Sequence, residues 1–349
     1  MDNNRPTIQT IAEELGVHRS TVSRALNPDQ AHQLKPETVR LVREVAERLG
    51  WERNPWARSL ATNRSTTIGL LIPRLSDLVV ATMFEAAEHR ARQLDYQAVT
   101  VSTQDDPIEC RRLTDHLLEQ RVDGIILATA RLNDPTPRHL TDLGVPFVLL
   151  NRVSDGFLHI RGDDELGGYL VGRHLISLGH RRIGVVAGPD DISTAVGRVK
   201  GLTRAIEESG LLVDPELVRT STFRAESGSA AGAALLSTPN QPTAIFAVND
   251  SVAIGVIAAA RDLGISVPHQ LAVVGYNDSE FASLLPTPLT SVKIPLATMG
   301  AAAVDMLLRS ARREPVSSKT LTPRLMIRES SARSLNPTET RIQDPASRA

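Results

Sequence analysis

Residues 7–27 read TIQTIAEELGVHRSTVSRALN, and this stretch decides the fold of the N-terminal part of the chain. Its first apolar residues are spaced for one face of a helix, namely Ile8, Ile11, Ala12 and Leu15. Thr7 can cap that helix, and Gly16 interrupts its pattern. A second helix is predicted from about Arg19 to Leu26. The stretch therefore predicts a helix, a tight turn at glycine and a second helix.

A third helix is predicted downstream, because Pro36 suits a first helical turn and Gly50 suits a helix end. Its inward side carries Val39, Val42, Ala46 and Leu49. Strand alternation is missing from this part of the sequence. We therefore expect residues 1–50 to form an all-α head of three short helices.

From residue 66 the pattern changes to apolar runs separated by amphipathic helical stretches. The runs lie at residues 67–72, 98–101, 124–127, 146–150, 183–186, 244–248 and 271–275. Strands this apolar are typical of parallel sheets covered on both faces. Their number exceeds what one small sheet needs, so we predict an α/β domain of two doubly wound parallel-sheet subdomains. A ligand would bind beyond the carboxyl ends of the strands.

Composition excludes several classes of protein. A chain of 349 residues is too long for one ordinary core, and no apolar run approaches the ~18 residues of a membrane span. The N-terminus lacks a secretory signal pattern, and the single cysteine, Cys110, offers no disulfide or metal spacing. We therefore expect a cytoplasmic protein without membrane attachment, and we interpret Cys110 as a packing residue.

For the question of nucleic-acid binding, the positions of the charged residues are more informative than the net charge. A net charge of −1 argues by itself against nucleic acid. However, residues 53–76 contain four arginines and no acid, namely Arg53, Arg58, Arg64 and Arg74. The predicted second helix also presents Arg19, Ser20, Ser23 and Arg24 on the side opposite its apolar residues. Such donors suit base edges and phosphates in a major groove, although a solvated face of a small helical bundle is the alternative.

The quoted segment resembles the helix-turn-helix head of the LacI/GalR family of transcriptional regulators. This resemblance implies that Arg19, Ser20 and Arg24 read bases, and the whole predicted DNA-binding set in the head is Thr7, Arg19, Ser20, Thr21, Ser23, Arg24 and Asn27. His18 stands where relatives often have serine as the helix cap. The implied partner is operator DNA of pseudo-palindromic sequence, because one recognition helix reads too few base pairs alone.

Residues 50–60, GWERNPWARSL, resemble the hinge of the same family. The resemblance places Arg58 among the DNA contacts and implies that Leu60 wedges into the minor groove at the operator centre. Arg53 replaces a common proline, which affects the expected stiffness of the hinge. The alternative for Leu60 is a linker residue that packs locally.

The resemblance continues to about Ser331 through the segments TIGLL (67–71), RVDGII (121–126), LGHRRIG (178–184) and LMIRESS (325–331). It implies a head at 1–50, a hinge at 51–65 and a periplasmic-binding-protein-like effector domain of type I at 66–333. The N-subdomain would comprise about 66–162 and 292–321, and the C-subdomain about 163–291 and 322–333. The polar tail at 334–349 is predicted to be disordered.

The effector residues are implied by the same resemblance. Arg198 would grip effector oxygens, Asn249 and Asn277 would contact hydroxyls, and Phe223 would stack on the ligand. Further positions in the predicted effector site are Val79, Asp163 and Thr194. The alternatives are a surface ion pair for Arg198 and helix capping for the two asparagines.

The function expected from these patterns is that of a repressor whose operator affinity is controlled by a small effector, a sugar or sugar derivative. Two alternatives stay open. The effector is a nucleoside or another metabolite, or the protein has an activating role. No catalytic motif is found in the sequence, so we expect no enzyme, catalytic residue, cofactor or metal. A transport-type sugar-binding protein shares the larger fold but would lack the head. We expect a homodimer or a higher oligomer.

Overall fold

The computed structural model describes residues 6–51 and 65–332. The chain divides into two compact units between Ser65 and Thr66, and each is described by itself.

The N-terminal unit is helical. Its helices are α1 (Ile8–Leu15), α2 (Arg19–Leu26), α3 (Pro28–Ala31) and α4 (Pro36–Arg48). Gly16 ends α1 with a φ of 62°, a left-handed conformation that glycine adopts without steric cost. The one-turn helix α3 had not been predicted, so the expectation of three helices is corrected. The core of this unit consists of Ile11, Ala12, Val22, Ala25, Val42, Val45 and Ala46.

The second unit contains parallel sheets flanked by helices, as the pattern of apolar runs predicts. Its strands are β1 (Thr67–Ile72), β2 (Gln97–Ser102), β3 (Gly124–Leu127), β4 (Phe147–Leu150), β5 (His159–Gly162), β6 (Ile183–Ala187), β7 (Val218–Thr220), β8 (Ala244–Ala247), β9 (Ala272–Val274), β10 (Ser291–Lys293), β11 (Lys319–Leu321) and β12 (Arg324–Met326). Its helices are α5 (Leu78–Gln93), α6 (Pro107–Glu119), α7 (Thr136–Asp142), α8 (Asp164–Ser177), α9 (Ser193–Glu208), α10 (Ala225–Leu236), α11 (Asp250–Asp262) and α12 (Leu296–Ala311).

The strands form two separate parallel sheets. One has the order β11-β5-β4-β3-β1-β2 and the other β7-β6-β8-β9, while β10 and β12 pair antiparallel. The predicted fold class, a helical head with an α/β domain of two parallel sheets, is therefore confirmed. The central strands are buried on both faces, as shown by Ile68, Leu70, Leu71 and Ile72 in β1.

Two helices of the second sheet approach each other unusually closely. A Cβ atom on Gly168 of α8 would lie 1.9 Å from the carbonyl oxygen of Arg198 in α9. Only glycine permits this distance between the two backbones. The close approach fixes where α9 presents the Arg198 side chain.

Candidate functional site

The exposed face of α2 carries the predicted DNA contacts. Val22 and Ala25 are buried in the head core, whereas the side chains on the opposite side are exposed, namely Arg19, Ser20, Ser23 and Arg24. Thr21 and Asn27 are half-buried, and Asn27 ends the helix. The arrangement places two guanidinium groups and two hydroxyls on one accessible helix face, which suits readout of base edges and phosphates.

The ends of α1 and α2 are capped by side chains. The Thr7 hydroxyl accepts a hydrogen bond from the Thr10 N–H at 3.2 Å and caps α1, as predicted. His18 caps α2, because its Nδ1 accepts from the Ser20 N–H at 3.3 Å. The same Nδ1 lies 2.8 Å from Oγ of Ser20, so this hydroxyl already has a partner in the free head.

The predicted hinge contacts Arg58 and Leu60 lie outside the described residues, as does the predicted disordered tail. Their roles stay predictions.

A buried cluster around Arg198 brings together four of the predicted effector residues. The Arg198 guanidinium donates to Oδ1 of Asp164 at 2.8 Å, to the carbonyl oxygen of Val248 at 2.8 Å and to Oδ1 of Asn277 at 3.3 Å. Nδ2 of Asn249 donates to the carbonyl oxygen of Phe223 at 3.1 Å. The side chain of Arg198 is only 4% exposed, so its ion pair with Asp164 is buried and the alternative of a surface pair is wrong.

Tyr276 lies beneath this cluster. The central guanidinium carbon of Arg198 is 3.8 Å from the Tyr276 ring centroid, a cation–π distance. Burial and the nearby Asp164 carboxylate raise the pKa of Tyr276 well above its ordinary value, so the phenol is neutral. Burial also raises the pKa of Asp164, and the charge of Arg198 opposes that increase. Arg198 and Asp164 are therefore buried opposite charges that pair with each other.

Phe223 and Asn277 adopt backbone conformations that favour glycine. Their φ angles are +63° and +99°. Such conformations cost free energy in residues with side chains, most of all for an aromatic residue, and they concentrate at functional sites. Asn249 is buried, and its Oδ1 accepts the Val252 N–H at 2.8 Å, so it caps α11 as the alternative interpretation proposed. No helix begins at Asn277.

The remaining predicted effector residues occupy different places. Thr194 is buried on α9, one turn before Arg198. Asp163 caps α8 by accepting the Leu166 N–H at 3.0 Å. Val79 is half-buried on α5 and packs against the core of the first sheet. Within the described parts of the chain, no hydrogen bond or ion pair joins Val79 or Asp163 to Arg198.

The site also contains residues that sequence reasoning did not select. Asp164 and Tyr276 hold Arg198, and the first sheet contributes charged side chains that follow consecutive strands, namely Arg74, Asp105, Arg131 and Arg152. The available signal was their position, because each of these four comes shortly after an apolar run. Carboxyl ends of parallel strands meet at one edge of a sheet, so such residues are brought together.

The fold and the site together indicate a class of protein. Its features are two parallel sheets flanked by helices and a buried polar cluster after β8 and β9. Residues 173–331 match the family described as "Periplasmic binding protein-like domain". In this chain that domain is preceded by a helix-turn-helix head.

Comparison of the whole chain identifies the family. It is 33% identical over 338 residues to the HTH-type transcriptional regulator CelR of Thermobifida fusca, covering 93% of this chain and 98% of that protein. A solved CelR–cellobiose complex matches with a TM-score of 0.72 and 31% identity over 94% of this chain and all of that one. The lac repressor dimer bound to operator and the anti-inducer ONPF matches with a TM-score of 0.83 and 28% identity, over 94% and 99% of the two chains. The chain belongs to the LacI/GalR family of DNA-binding transcriptional regulators.

Two further observations apply to residues 6–51 and 65–332. None of the helices there combines the length and hydrophobicity needed to cross a membrane. No group of His, Cys, Asp and Glu side chains in the same ranges is arranged to hold a metal ion.

Proposed function

We propose that this regulator is a repressor that binds a pseudo-palindromic operator as a homodimer and releases or engages it in response to a sugar-like effector. The single observation that carries the effector site is a set of hydrogen bonds after β8 and β9. In it Arg198 donates to the Val248 carbonyl oxygen and to Asn277, and Asn249 donates to the Phe223 carbonyl oxygen. A few fixed polar groups beside one aromatic ring suit a ligand with hydroxyls and an apolar ring face.

Operator binding is assigned to α2 and to the hinge. The exposed Arg19 and Arg24 supply base contacts, while Arg58 and Leu60 act in the hinge. The lac repressor neighbour is described as a dimer on its operator, which supports dimeric binding here. The proposed subdomains are 66–162 with 292–321 and 163–291 with 322–333, and the division of the parallel strands between two separate sheets supports this proposal.

A sugar is favoured over a nucleoside by one comparison. The CelR neighbour is a complex with cellobiose, and the chain resembles it over most of its length. In such a mechanism the effector binds one arrangement of the two subdomains better than the other. A difference of ~1–3 kcal/mol would change operator affinity by about 5- to 150-fold.

A ligand panel tests the proposal. An operator is first selected from a random DNA pool, and sugars and nucleosides are then screened by thermal shift and by their effect on operator affinity. We expect a sugar to raise the Tm and to change operator affinity, and Phe223→Ala to weaken that response. Gel filtration and footprinting should give a dimer that protects two half-sites. A monomer on one half-site, or a screen in which no sugar changes operator affinity, would contradict the proposal.

A further inference from the structure

The first sheet presents an arginine cluster at one edge. Arg74 follows β1, Arg131 follows β3 and Arg152 follows β4, while Asp105 follows β2. These strands are neighbours in the order β4-β3-β1-β2, so the four residues meet beyond their carboxyl ends. Parallel α/β sheets bind ligands at this edge.

Asp105 is the common partner of the three arginines. Its Oδ1 accepts from Nη1 of Arg152 at 2.5 Å, and its Oδ2 lies 3.4 Å from Nη1 of Arg74. Arg131 donates from Nη2 to the Asp105 carbonyl oxygen at 2.9 Å. Burial alone would raise the pKa of Asp105, but Arg152 first, and then Arg74 and Arg131, hold that pKa below its ordinary value. The carboxylate is therefore ionised at neutral pH.

The ion pairs of this cluster join three arginines to only two carboxylates, those of Asp105 and Asp191. Arg131 has a second partner, because it forms an ion pair with Asp191. Arg74 and Arg152 share Asp105, which is their only carboxylate within ion-pair distance in the described part of the chain. The side chain of Arg152 is 7% exposed and that of Arg74 is 16% exposed. A buried guanidinium without its own counterion is unfavourable, so this edge favours an added anion.

The cluster contacts the segment that holds Phe223, one of the predicted effector residues. The guanidinium carbon of Arg152 lies 5.8 Å from the ring centroid of Phe223. Nη2 of Arg74 donates to the carbonyl oxygen of Thr222 at 3.4 Å. Residues 222–223 thus contact the arginine cluster on one side, and Asn249 bonds Phe223 on the other.

There is open space next to the cluster. A cavity of about 260 Å³ adjoins Asp105 and Arg131, and Asp191 of the second subdomain contributes to its wall. Threonine, asparagine and aspartate side chains also line it, namely Thr103, Asp106, Thr129, Asn133 and Asp134, whereas Arg74 and Arg152 lie outside its lining. A wall of this kind can accommodate hydroxyl groups of a ligand whose anion binds at the arginines.

We infer that the effector is an anionic sugar derivative, whose carboxylate or phosphate is bound by Arg74 and Arg152. This inference rests on the proposed function, since it concerns the effector of the same site. The planar guanidinium of Arg152 suits two parallel hydrogen bonds to such a group. In the free protein Asp105 partly neutralises the arginines in the place of the ligand's anion.

Matched ligand series test the inference on the full-length protein. Each series contains a neutral sugar, its uronate and its 6-phosphate, for example glucose, glucuronate and glucose 6-phosphate, and binding is measured by calorimetry at matched ionic strength. We expect an anionic member of one series to bind about ten-fold or more tightly than its neutral counterpart. Comparison of the uronate with the 6-phosphate in each series shows whether the site binds a carboxylate or a phosphate.

Substitutions distinguish an anion site from a structural ion-pair network. Arg152→Gln should reduce affinity for the anionic member about ten-fold or more and leave the neutral member unchanged. Asp105→Asn should increase affinity for the anion, because it removes the competing carboxylate. A purely structural network would not give that gain. Arg112→Gln, an exposed residue on α6, is the matched control and should change neither affinity.

Inorganic phosphate provides a probe that does not depend on the sugar. It should raise the Tm of the wild-type protein more than chloride does at equal ionic strength, and this gain should be lost in Arg152→Gln. If a neutral sugar controls operator binding at least as well as its anionic relatives, the inference is overturned while the proposed function stands. If no member of any series binds, both fail. Unchanged anion binding in Arg152→Gln would also overturn the inference.

Discussion

At the scale of single residues, Arg198 stabilises the fold, and it has this structural role whether or not it also binds the effector. Its guanidinium compensates Asp164, satisfies the Val248 carbonyl oxygen and lies on the ring of Tyr276. A buried ion pair adds little net stability, but removing one partner leaves an uncompensated charge, which is strongly destabilising. Loss of effector response in an Arg198 variant would therefore have two possible causes, and stability must be measured beside it.

We predict that Arg198→Ala lowers the free energy of unfolding by about 3–5 kcal/mol, because the buried Asp164 loses its ion-pair partner. Urea denaturation followed by circular dichroism measures this change. Lys200→Ala on the same helix is the control, since the Lys200–Glu165 pair is largely exposed and should contribute about 0–1 kcal/mol. The double variant Arg198→Met/Asp164→Asn should lose clearly less than Arg198→Ala. Equal losses would contradict the charge argument.

Asp250 provides a pH-dependent prediction. Burial raises its pKa to about 6, although Ser291 and Ser279 donate hydrogen bonds to it, and the charge of Asp278 adds to the increase. In the unfolded chain the carboxyl group titrates near 3.8. The folded state therefore holds the proton more tightly, and the contribution of Asp250 to stability falls as the pH rises from about 4 to about 6.

Asp250→Asn should remove this dependence. Between pH 4 and pH 8 the stability of the variant relative to the wild type should rise by on the order of 2 kcal/mol. Denaturation curves at several pH values measure the difference directly. Asp262→Asn, at the exposed far end of α11, is the control and should follow the wild type. A constant difference between wild type and Asp250→Asn over this range would exclude the buried carboxyl as the cause.

At the scale of elements, α2 separates residues that build the head from residues that can read DNA. Val22 and Ala25 are fully buried, while Arg19 and Arg24 are exposed on the other side. The core contacts and the predicted DNA contacts therefore lie on different faces, and changes on the exposed face should leave the fold intact.

We predict that Arg19→Ala or Arg24→Ala costs ~1–3 kcal/mol in operator binding and relaxes the preference at particular base pairs. Binding to a set of single-base operator variants measures both effects. Arg64→Ala, in the basic stretch before β1, should instead weaken all sequences alike and lower the salt dependence. Arg40→Ala, on an exposed side of α4, is a control for changes in general charge. An unaltered base preference in both Arg19→Ala and Arg24→Ala would remove these residues from the readout.

Some strands can be predicted from their own sequences, and others cannot. The runs Ile68–Ile72 and Gly124–Leu127 are apolar because their strands are covered on both faces, so they are recognisable without a structure. His159–Gly162 and Lys319–Leu321 were not predicted, because these strands are short and carry charged or half-buried residues. Short strands with polar residues gain their structure from pairing with neighbours, and a local pattern does not contain that information.

The candidate site also contains residues that the sequence can predict and contacts that it cannot. Arg198 and Asn277 were selected through resemblance to a family, although 79 positions separate them. Asp105 and Arg152 are 47 positions apart and follow different strands. Their contact depends on the order of strands in the sheet, with β1 and β3 between β2 and β4. An ion pair of this kind cannot be derived from spacing, because spacing does not determine which strand ends become neighbours.

At the scale of the whole molecule, the predicted DNA contacts and the predicted effector residues lie in different units of the chain. The proposed link between them is a thermodynamic coupling, in which the effector and the operator favour or disfavour the same state of the dimer. Linkage requires this coupling to be reciprocal. The factor by which the effector changes operator affinity must equal the factor by which the operator changes effector affinity.

We predict a coupling factor of about 5- to 150-fold, equal in both directions. Calorimetric titration of the effector with and without operator DNA gives one factor, and operator binding with and without saturating effector gives the other. Leu60→Ala should weaken operator binding and reduce both factors together, while the effector affinity of the DNA-free protein stays unchanged, because the substitution lies outside the effector domain. Arg112→Gln should change neither the effector affinity, with or without operator, nor the operator affinity, with or without effector. Factors that differ between the two directions, or factors of one, would show that the two sites do not share a single two-state equilibrium.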